Sequence, residues 1–354
     1  MKKRPWIAYL AGAAALVALA LWARAHIHFQ WSVFRDQIQH VNWALILLGV
    51  AMIYLGYVLR ALRWALLMRP QKRVSAFALL GSQVIGYTGV ALFGRLADLL
   101  RPYLVARRTQ TSLTSQVGVY TVERMFDLAS MALIFAAALR FAPDRATLPH
   151  HDALEHAALV ALLVAIALGL FAVAVRIAGR AVARATERVL GTLSPKMARA
   201  VAAKILAFRD GINAVGGIDD FLLILVVSLV MWGMIVVAYL ATMRSFVLSP
   251  QLANISLARV LVLMAVGMAG SIIYLPVVGW FTQIAVIGAA MTGIFNISPE
   301  PALGCSAMLL VVTFLSVIPT GLLWARFERI SLKKVSQESE LAAEETGHAP
   351  AMEA

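Results

Sequence analysis

Two groups of ionisable residues lie at helical spacing between Gly94 and Asp127, in GRLADLLRPYLVARRTQTSLTSQVGVYTVERMFD. Arg95, Asp98 and Arg101 are three apart, which makes them near neighbours on one side of a helix. Pro102 fixes the backbone directly after them. Glu123 and Asp127 are four apart with Arg124 between them, inside a run otherwise apolar enough to cross a membrane. A charge at the bilayer centre costs about 2.5–3.5 kcal/mol on insertion scales, so three left unpaired would approach about 8–10 kcal/mol. These residues must therefore pair, face a cavity or lie near the interface. The economical arrangement joins all six in one polar cluster at a membrane mouth. Two roles are open to such a cluster. It could lock one helical element to its neighbour. Alternatively, arginine in excess of carboxylate binds an anionic group such as phosphate, which guanidinium grips with two parallel hydrogen bonds. The carboxylates would then hold the arginines in place or meet a cationic headgroup.

The elements that must position these residues follow from composition. The 354 residues are 61% hydrophobic and 14% charged, with 31 Lys and Arg against 18 Asp and Glu. A soluble domain averages roughly 45–50% apolar and 25% charged, so a polytopic, all-α membrane protein is expected. The mean hydropathy of +0.82 agrees. No phosphate-cradling loop, HExxH, CxxC or GxSxG is present, and these are the short signatures of nucleotide, metal and nucleophile chemistry. The basic balance does not imply nucleic acid, because the cations fall between apolar runs and not on one soluble face.

A hydrocarbon core of about 30 Å needs about 20 apolar helical residues. Runs of that kind fall at about 5–23, 43–59, 113–139, 157–177, 221–243, 257–276, 279–296 and 302–324. A ninth run, Val74 to Phe93, contains Gly81, Ser82, Gln83, Gly86, Thr88 and Gly89 and is poorly suited to face lipid. Lys and Arg accumulate on the cytoplasmic side. If both termini are cytoplasmic, 24 of the 31 basic residues fall on that side, Arg60 and Arg63 among them as part of a loop after the second span. That bias holds only if the chain enters and leaves on the same side between Val74 and Arg95, so the Gly-rich run should be re-entrant. Irregular backbone at membrane depth is tolerated only where protein or a water-filled cavity surrounds it. The expected architecture is about eight transmembrane helices plus at least one re-entrant segment, a single membrane domain over residues 1–330, and a disordered polar tail over 331–354.

Other features weigh less. The basic start and Ala23-Arg24-Ala25 are compatible with a signal peptide, but an apolar stretch this long reads as a retained span. Arg176 to Asp220 should form cytoplasmic helices broken at Pro195, and Arg176, Arg180, Arg184 and Arg188 make a basic stripe suited to anionic lipid. Asp152 and His156 are i,i+4, a metal-compatible spacing without a third ligand, so no metal site and no cofactor are expected. Cys305 reads as a small buried residue.

Gly94-Arg95-x-x-Asp98-x-x-Arg101-Pro102-Tyr103-Leu104, followed by Val122-Glu123-Arg124-x-x-Asp127, resembles the lysylphosphatidylglycerol synthase transmembrane-region family. The resemblance extends over roughly residues 40–325. The family's usual Gly-Glu before the Arg-Pro is Ala97-Asp98 here. Of its later Pro-x-x-Gly-Gly-x-Gly region, Pro276 and Gly279 remain. The family includes the flippase portion of bacterial aminoacyl-phospholipid synthases and stand-alone flippase-like proteins. The resemblance implies a bacterial inner-membrane location and a two-halved, transporter-like arrangement in which broken or re-entrant helices meet near the midplane. Candidate pieces are Gly81 to Gly94 and Gly267 to Gly279, since Gly/Pro-interrupted segments in corresponding halves point to a transport site. The expected substrate-binding residues are thus Arg95, Asp98, Arg101, Glu123, Arg124, Asp127, Pro276, Gly279 and Gln283. The expected function is translocation of an anionic or aminoacylated phospholipid, or another anionic lipid-linked headgroup, by a chain that is not itself an enzyme. Two alternatives stay open: an intramembrane headgroup enzyme with Glu123 or Asp127 as base, and a non-transporting partner of a glycosyltransferase or synthase. A second copy of the chain is a further candidate partner.

Overall fold

Every regular element in a computed structural model of the chain is helical among the residues it describes: 29–141, 148, 151–192, 194–212, 216–270 and 278–330. The first apolar run, Pro276 and the tail after 330 lie outside the described residues, and of Arg95 only the backbone is described.

A short helix α1 (Trp31–Gln39) precedes α2 (Trp43–Met68), which opens where the Asn42 side chain accepts hydrogen bonds from the backbone N–H groups of Ala44 and Leu45. That cap satisfies donors the first helical turn leaves without partners. The 26 residues of α2 span about 39 Å at 1.5 Å per residue. This corrects the loop expected after residue 59. Arg60 and Arg63 lie within α2, and Arg63 is fully buried. The helix continues because these side chains find partners inside the protein, so their charge does not force the chain into water.

After α2 the chain makes a hairpin. Helix α3 (Ala76–Phe93) ends at Gly94, whose φ of 74° suits glycine. A 3₁₀ turn (Gly94–Leu99) then leads into α4 (Leu100–Thr109). Pro102 sits in the first turn of α4, where a backbone N–H has no intrahelical partner anyway. The two legs match: 18 α-helical residues outward, then 6 in 3₁₀ and 10 in α conformation back, about 27 Å each. The ends meet, because Lys72 Nζ donates to the Thr109 carbonyl at 2.8 Å. The chain does return to the side it left, as charge parity demanded. The return expected between Val74 and Arg95 is instead made by residues 94–109, which puts Arg101 inside the protein and not at the face.

Four further elements traverse the fold. These are α5 (Leu113–Phe141), α6 (His151–Gly191, with a break from helical geometry at Ala178), α8 (Ile218–Arg244), and the pair α12 (Pro299–Leu310) and α13 (Val317–Phe327). Between α12 and α13 lies a π-helical turn at Val311–Leu315. Pro319, four residues after Leu315, cannot donate to its carbonyl, and its ring crowds that carbonyl. The widened turn absorbs the mismatch. The Tyr54 hydroxyl covers the disturbed backbone by donating to the Ser316 carbonyl at 2.8 Å. The basic stretch expected to break at Pro195 does so. Its first part is the end of α6, and its second is α7 (Pro195–Ile212), which packs back against α6 and α5.

Side-chain bridges sort the helix ends into two faces. On the first, Ser115 Oγ donates to Gln71 Oε1 at 2.6 Å, Arg69 pairs with Asp220 at 3.4 Å and Arg108 with Glu328 at 2.5 Å. On the second, Asn42 N donates to the Ser245 carbonyl at 2.9 Å, and Gln30 N to Glu300 Oε1 at 3.0 Å. The runs at 257–276 and 279–296 form a second hairpin, α10 (Leu257–Gly270) and α11 (Val278–Phe295). It starts and ends on the second face, where Gln251 Nε2, in the short helix α9 (Pro250–Ala253), donates to the Asn296 carbonyl at 3.2 Å. The 14 residues of α10 reach about 21 Å, less than a hydrocarbon core. The hairpins thus enter from opposite faces and touch inside, where Trp280 Nε1 donates to the Ala91 carbonyl at 3.2 Å.

Candidate functional site

The site is assembled where the first hairpin packs against α2, α5 and α8. Gly86 permits it. A Cβ there would collide with Arg101 Cγ and sit 3.2 Å from Arg101 Cα. With hydrogen in place of a methyl, α4 lies close enough to α3 for Arg101 to pass across it. At Gly89 the same closeness admits Leu100.

Glu123 is the hub. Its Oε1 lies 2.6 Å from Arg63 Nη2, 3.3 Å from Arg101 Nη1 and 3.2 Å from Arg124 Nη2. One helical turn along α5, Asp127 Oδ1 takes Arg63 Nη1 at 2.7 Å and Trp232 Nε1 at 3.0 Å, while Oδ2 pairs with Arg124 at 2.8 Å. The i,i+4 spacing of the carboxylates matches the fork of one guanidinium, so Arg63 bridges both with separate nitrogens. Its Nη1 also donates to Ser228 Oγ at 3.1 Å. Arg101 adds a bond from Nη1 to Gln83 Oε1 at 3.2 Å. The Arg101 guanidinium carbon lies 4.4 Å from the Tyr87 ring centre, 5.2 Å from Tyr120 and 5.5 Å from Trp64. Aromatic faces supply the favourable electrostatics that water no longer can. Trp64 is itself held by Gln116, whose Oε1 accepts from its indole N–H at 2.9 Å.

The charges do not cancel. Arg63, Arg101 and Arg124 face Glu123 and Asp127, and Arg60 acts on both carboxylates from further away. Hydrogen bonding is lopsided in the same sense. Gln83 Nε2 and the Nε groups of Arg63, Arg101 and Arg124 are buried donors without an acceptor, against one carboxylate oxygen, Asp127 Oδ2, that accepts no hydrogen bond. Toward the mouth, exposure rises. Arg63 and Arg101 are 0% and 1% exposed, whereas Arg60, Tyr87, Asp98, Tyr120 and the 39%-exposed side chain of Arg124 line a partly open rim.

The structure therefore brings together Arg101, Glu123, Arg124 and Asp127 from the sequence-derived set. Asp98 stands on the 3₁₀ turn, close enough to act electrostatically on the Tyr120 hydroxyl, but bonds to none of the arginines among the described residues. No described hydrogen bond ties Gly279, buried at the start of α11, or the half-buried Gln283 to the cluster. The second hairpin reaches the first through Trp280 instead. Sequence reasoning missed Arg60, Arg63, Gln83, Tyr87, Gln116, Tyr120, Ser228 and Trp232 as parts of the site. The usable signal for two of them was RALRW, with arginines three apart in a run that stays helical if continued to Met68.

Among the described residues, no three His, Cys, Asp or Glu side chains gather as metal ligands. In the first turns of α6, His156 Nδ1 contacts the Asp152 backbone carbonyl one turn earlier and not its carboxylate.

Comparison with known proteins accords with this arrangement. No curated protein matches the chain. Residues 6–321 match the family model described as the lysylphosphatidylglycerol synthase TM region, so this multi-pass membrane protein belongs to that family.

Proposed function

We propose that the chain is a flippase-like membrane protein that moves an anionic, lipid-linked headgroup, a phospholipid in the first instance, past the polar cluster that its first hairpin forms with α2, α5 and α8. The observation that carries this reading is the imbalance of the buried cluster: three arginines against two carboxylates, with four N–H donors lacking acceptors against one carboxylate oxygen lacking a donor. A cluster built only to lock helices together gains most when every charge and donor is matched, because unmatched buried groups cost about 1–3 kcal/mol each. A phosphate at the rim would balance the charge and offer an acceptor to Arg124, the most exposed of the three arginines. Two hairpins that enter from opposite faces and touch inside resemble the paired interrupted segments between which transporters place a substrate site. In this reading the chain binds and carries without breaking bonds. Its location is the bacterial inner membrane, with the first face cytoplasmic, which puts the basic helix ends beside anionic lipid. A glycosyltransferase or synthase that makes the lipid-linked group would be its partner.

Reconstituted vesicles with fluorescent phosphatidylglycerol, lysyl-phosphatidylglycerol and phosphatidylcholine test this. Protein-dependent transbilayer movement should favour one or both glycerol-headgroup lipids over phosphatidylcholine, and Glu123→Gln should abolish it. Equal movement in protein-free vesicles, or movement indifferent to Glu123→Gln in a folded variant, would overturn the reading. A new lipid species after incubation would point to an enzyme instead.

A further inference from the structure

The arginines of the cluster divide into two kinds. Arg63 has both Nη groups engaged by Glu123, Asp127 and Ser228 and no exposed surface. Arg101 is almost as deeply buried, engaged by Glu123 and Gln83 and covered by three aromatic rings. Reaching either would mean dismantling the pairs that hold the carboxylates. Arg124 also touches both carboxylates but keeps 39% of its side chain exposed.

Arg60 differs from all three. It lies one turn of α2 before Arg63, about 12 Å from the helix end at Met68. Among the described residues it pairs with no carboxylate. Its partners are the Tyr87 hydroxyl, to which Nη1 donates, and the Tyr87 ring, 4.8 Å from its guanidinium carbon. A cation inside an apolar run costs about 2.5–3.5 kcal/mol on insertion scales, and a phenol supplies no neutralising charge. Its side chain is only half-buried, so the guanidinium lies at the rim. Tyr87 also lies over Arg101, and Tyr120 lies beside both Arg101 and Arg124. The rings thus link the two rim arginines through the buried one.

We propose that Arg60 and Arg124 grip the phosphate of the ligand, while Arg63 and Arg101 are positioning residues that hold Glu123 and Asp127. Arg60 supplies a charge that pairs with no carboxylate among the described residues, and Arg124 adds donors already oriented by the carboxylates. The chemical class is a phosphate oxyanion, a phosphodiester headgroup or free phosphate, which guanidinium binds bidentately. This rests on the anionic-headgroup reading and names the residues that would touch the group.

The test uses the full-length protein in neutral detergent. Arginines of the wild type are labelled with a dicarbonyl reagent, alone and with dihexanoyl-phosphatidylglycerol, dihexanoyl-phosphatidylcholine or inorganic phosphate. Adducts are located by mass spectrometry. Arg60 and Arg124 should label freely and be protected several-fold by phosphatidylglycerol but not phosphatidylcholine, with Arg63 and Arg101 unlabelled throughout. Equal protection by inorganic phosphate would support the two grips but replace the lipid by a free anion. In parallel, R60Q should weaken phosphatidylglycerol binding about tenfold, equivalent to about 1.4 kcal/mol, with R60K retaining most of it. R69Q, which alters a surface pair on the first face, should bind as wild type. If wild type binds phosphatidylglycerol while Arg60 labels equally with and without it, the assignment of Arg60 is wrong and the lipid reading survives. If wild type binds neither that lipid nor phosphate, both fall together.

Discussion

The two hairpins have similar reach and opposite chemistry. The first, α3 through α4, carries Arg101 into the buried cluster and presents Gln83 and Tyr87 to it. The second, α10 through α11, has one charged residue in its described helices, Arg259, close to where α10 leaves the second face. Its inner surface is aliphatic. Met264, Ile287 and Met291 lie in the main core, and a Cβ on Gly267 would lie 3.2 Å from Ile287. The first hairpin is therefore held by directional, charge-assisted bonds and the second by close packing. In a membrane the two means of fixation are not equivalent. Lipid tails compete equally with apolar packing, so small-residue fit is what holds a helix there, whereas a misplaced charge has no alternative partner. The ligand-binding chemistry proposed here resides in the half that holds the first hairpin, and the second hairpin contributes apolar packing.

The largest effect should come from Arg63→Gln, which leaves Glu123 and Asp127 sharing the remaining arginines. Breaking a buried pair costs about 3–5 kcal/mol, so thermal unfolding in detergent should show a far greater loss than Thr292→Val in the second hairpin. Comparable losses would mean the polar cluster is not what secures the first hairpin. Next is Gly86→Val. Overpacking of this kind costs about 1–3 kcal/mol, and the displaced Arg101 should carry Glu123 with it, lowering lipid binding as well as stability. Its counterpart is Gly293→Ala in α11, where a Cβ meets nothing within 4 Å. That change should be neutral or stabilising by up to about 1 kcal/mol through helix propensity. A smaller effect is expected from Trp280→Phe, which removes the hydrogen bond between the hairpin tips, worth about 0.5–1.5 kcal/mol. The thermal unfolding temperature in detergent should then fall by less than it does for Gly86→Val. Smallest is Arg108→Ala. Its partially exposed pair with Glu328 should contribute about 0–1 kcal/mol, and a melting shift as large as that of Arg63→Gln would contradict the distinction between cluster and rim.

Much of the outline was legible in residue types alone. Pro195 marks an element end by local backbone chemistry, and the apolar runs mark the traversing helices by length. That the chain returns to one side at the first hairpin followed from charge parity and is visible in the bond between Lys72 and Thr109, but the return lies after Gly94 and not between Val74 and Arg95. The limit of the second helix was misplaced at residue 59, because an arginine in an apolar run reads as an end unless its counter-ions are known. Those counter-ions are Glu123 and Asp127, at least 60 residues away. Nothing in the spacing of α2 indicates them.

The same reason separates what the chain order determined from what packing decided. Composition and periodicity determined a helical membrane protein, its basic face, its re-entrant segment and a set of charges too costly to leave alone, since each depends on a residue and its near neighbours. Which charges meet was decided by tertiary structure. Gly86 lets α4 approach α3, and α2 and α8 close over the carboxylates. That closure makes Arg63 the inner partner and leaves Arg60 at the rim, although the two are three residues apart on one helix. A helix turn rotates residues about its axis, but only the neighbours packed around it determine which direction is buried.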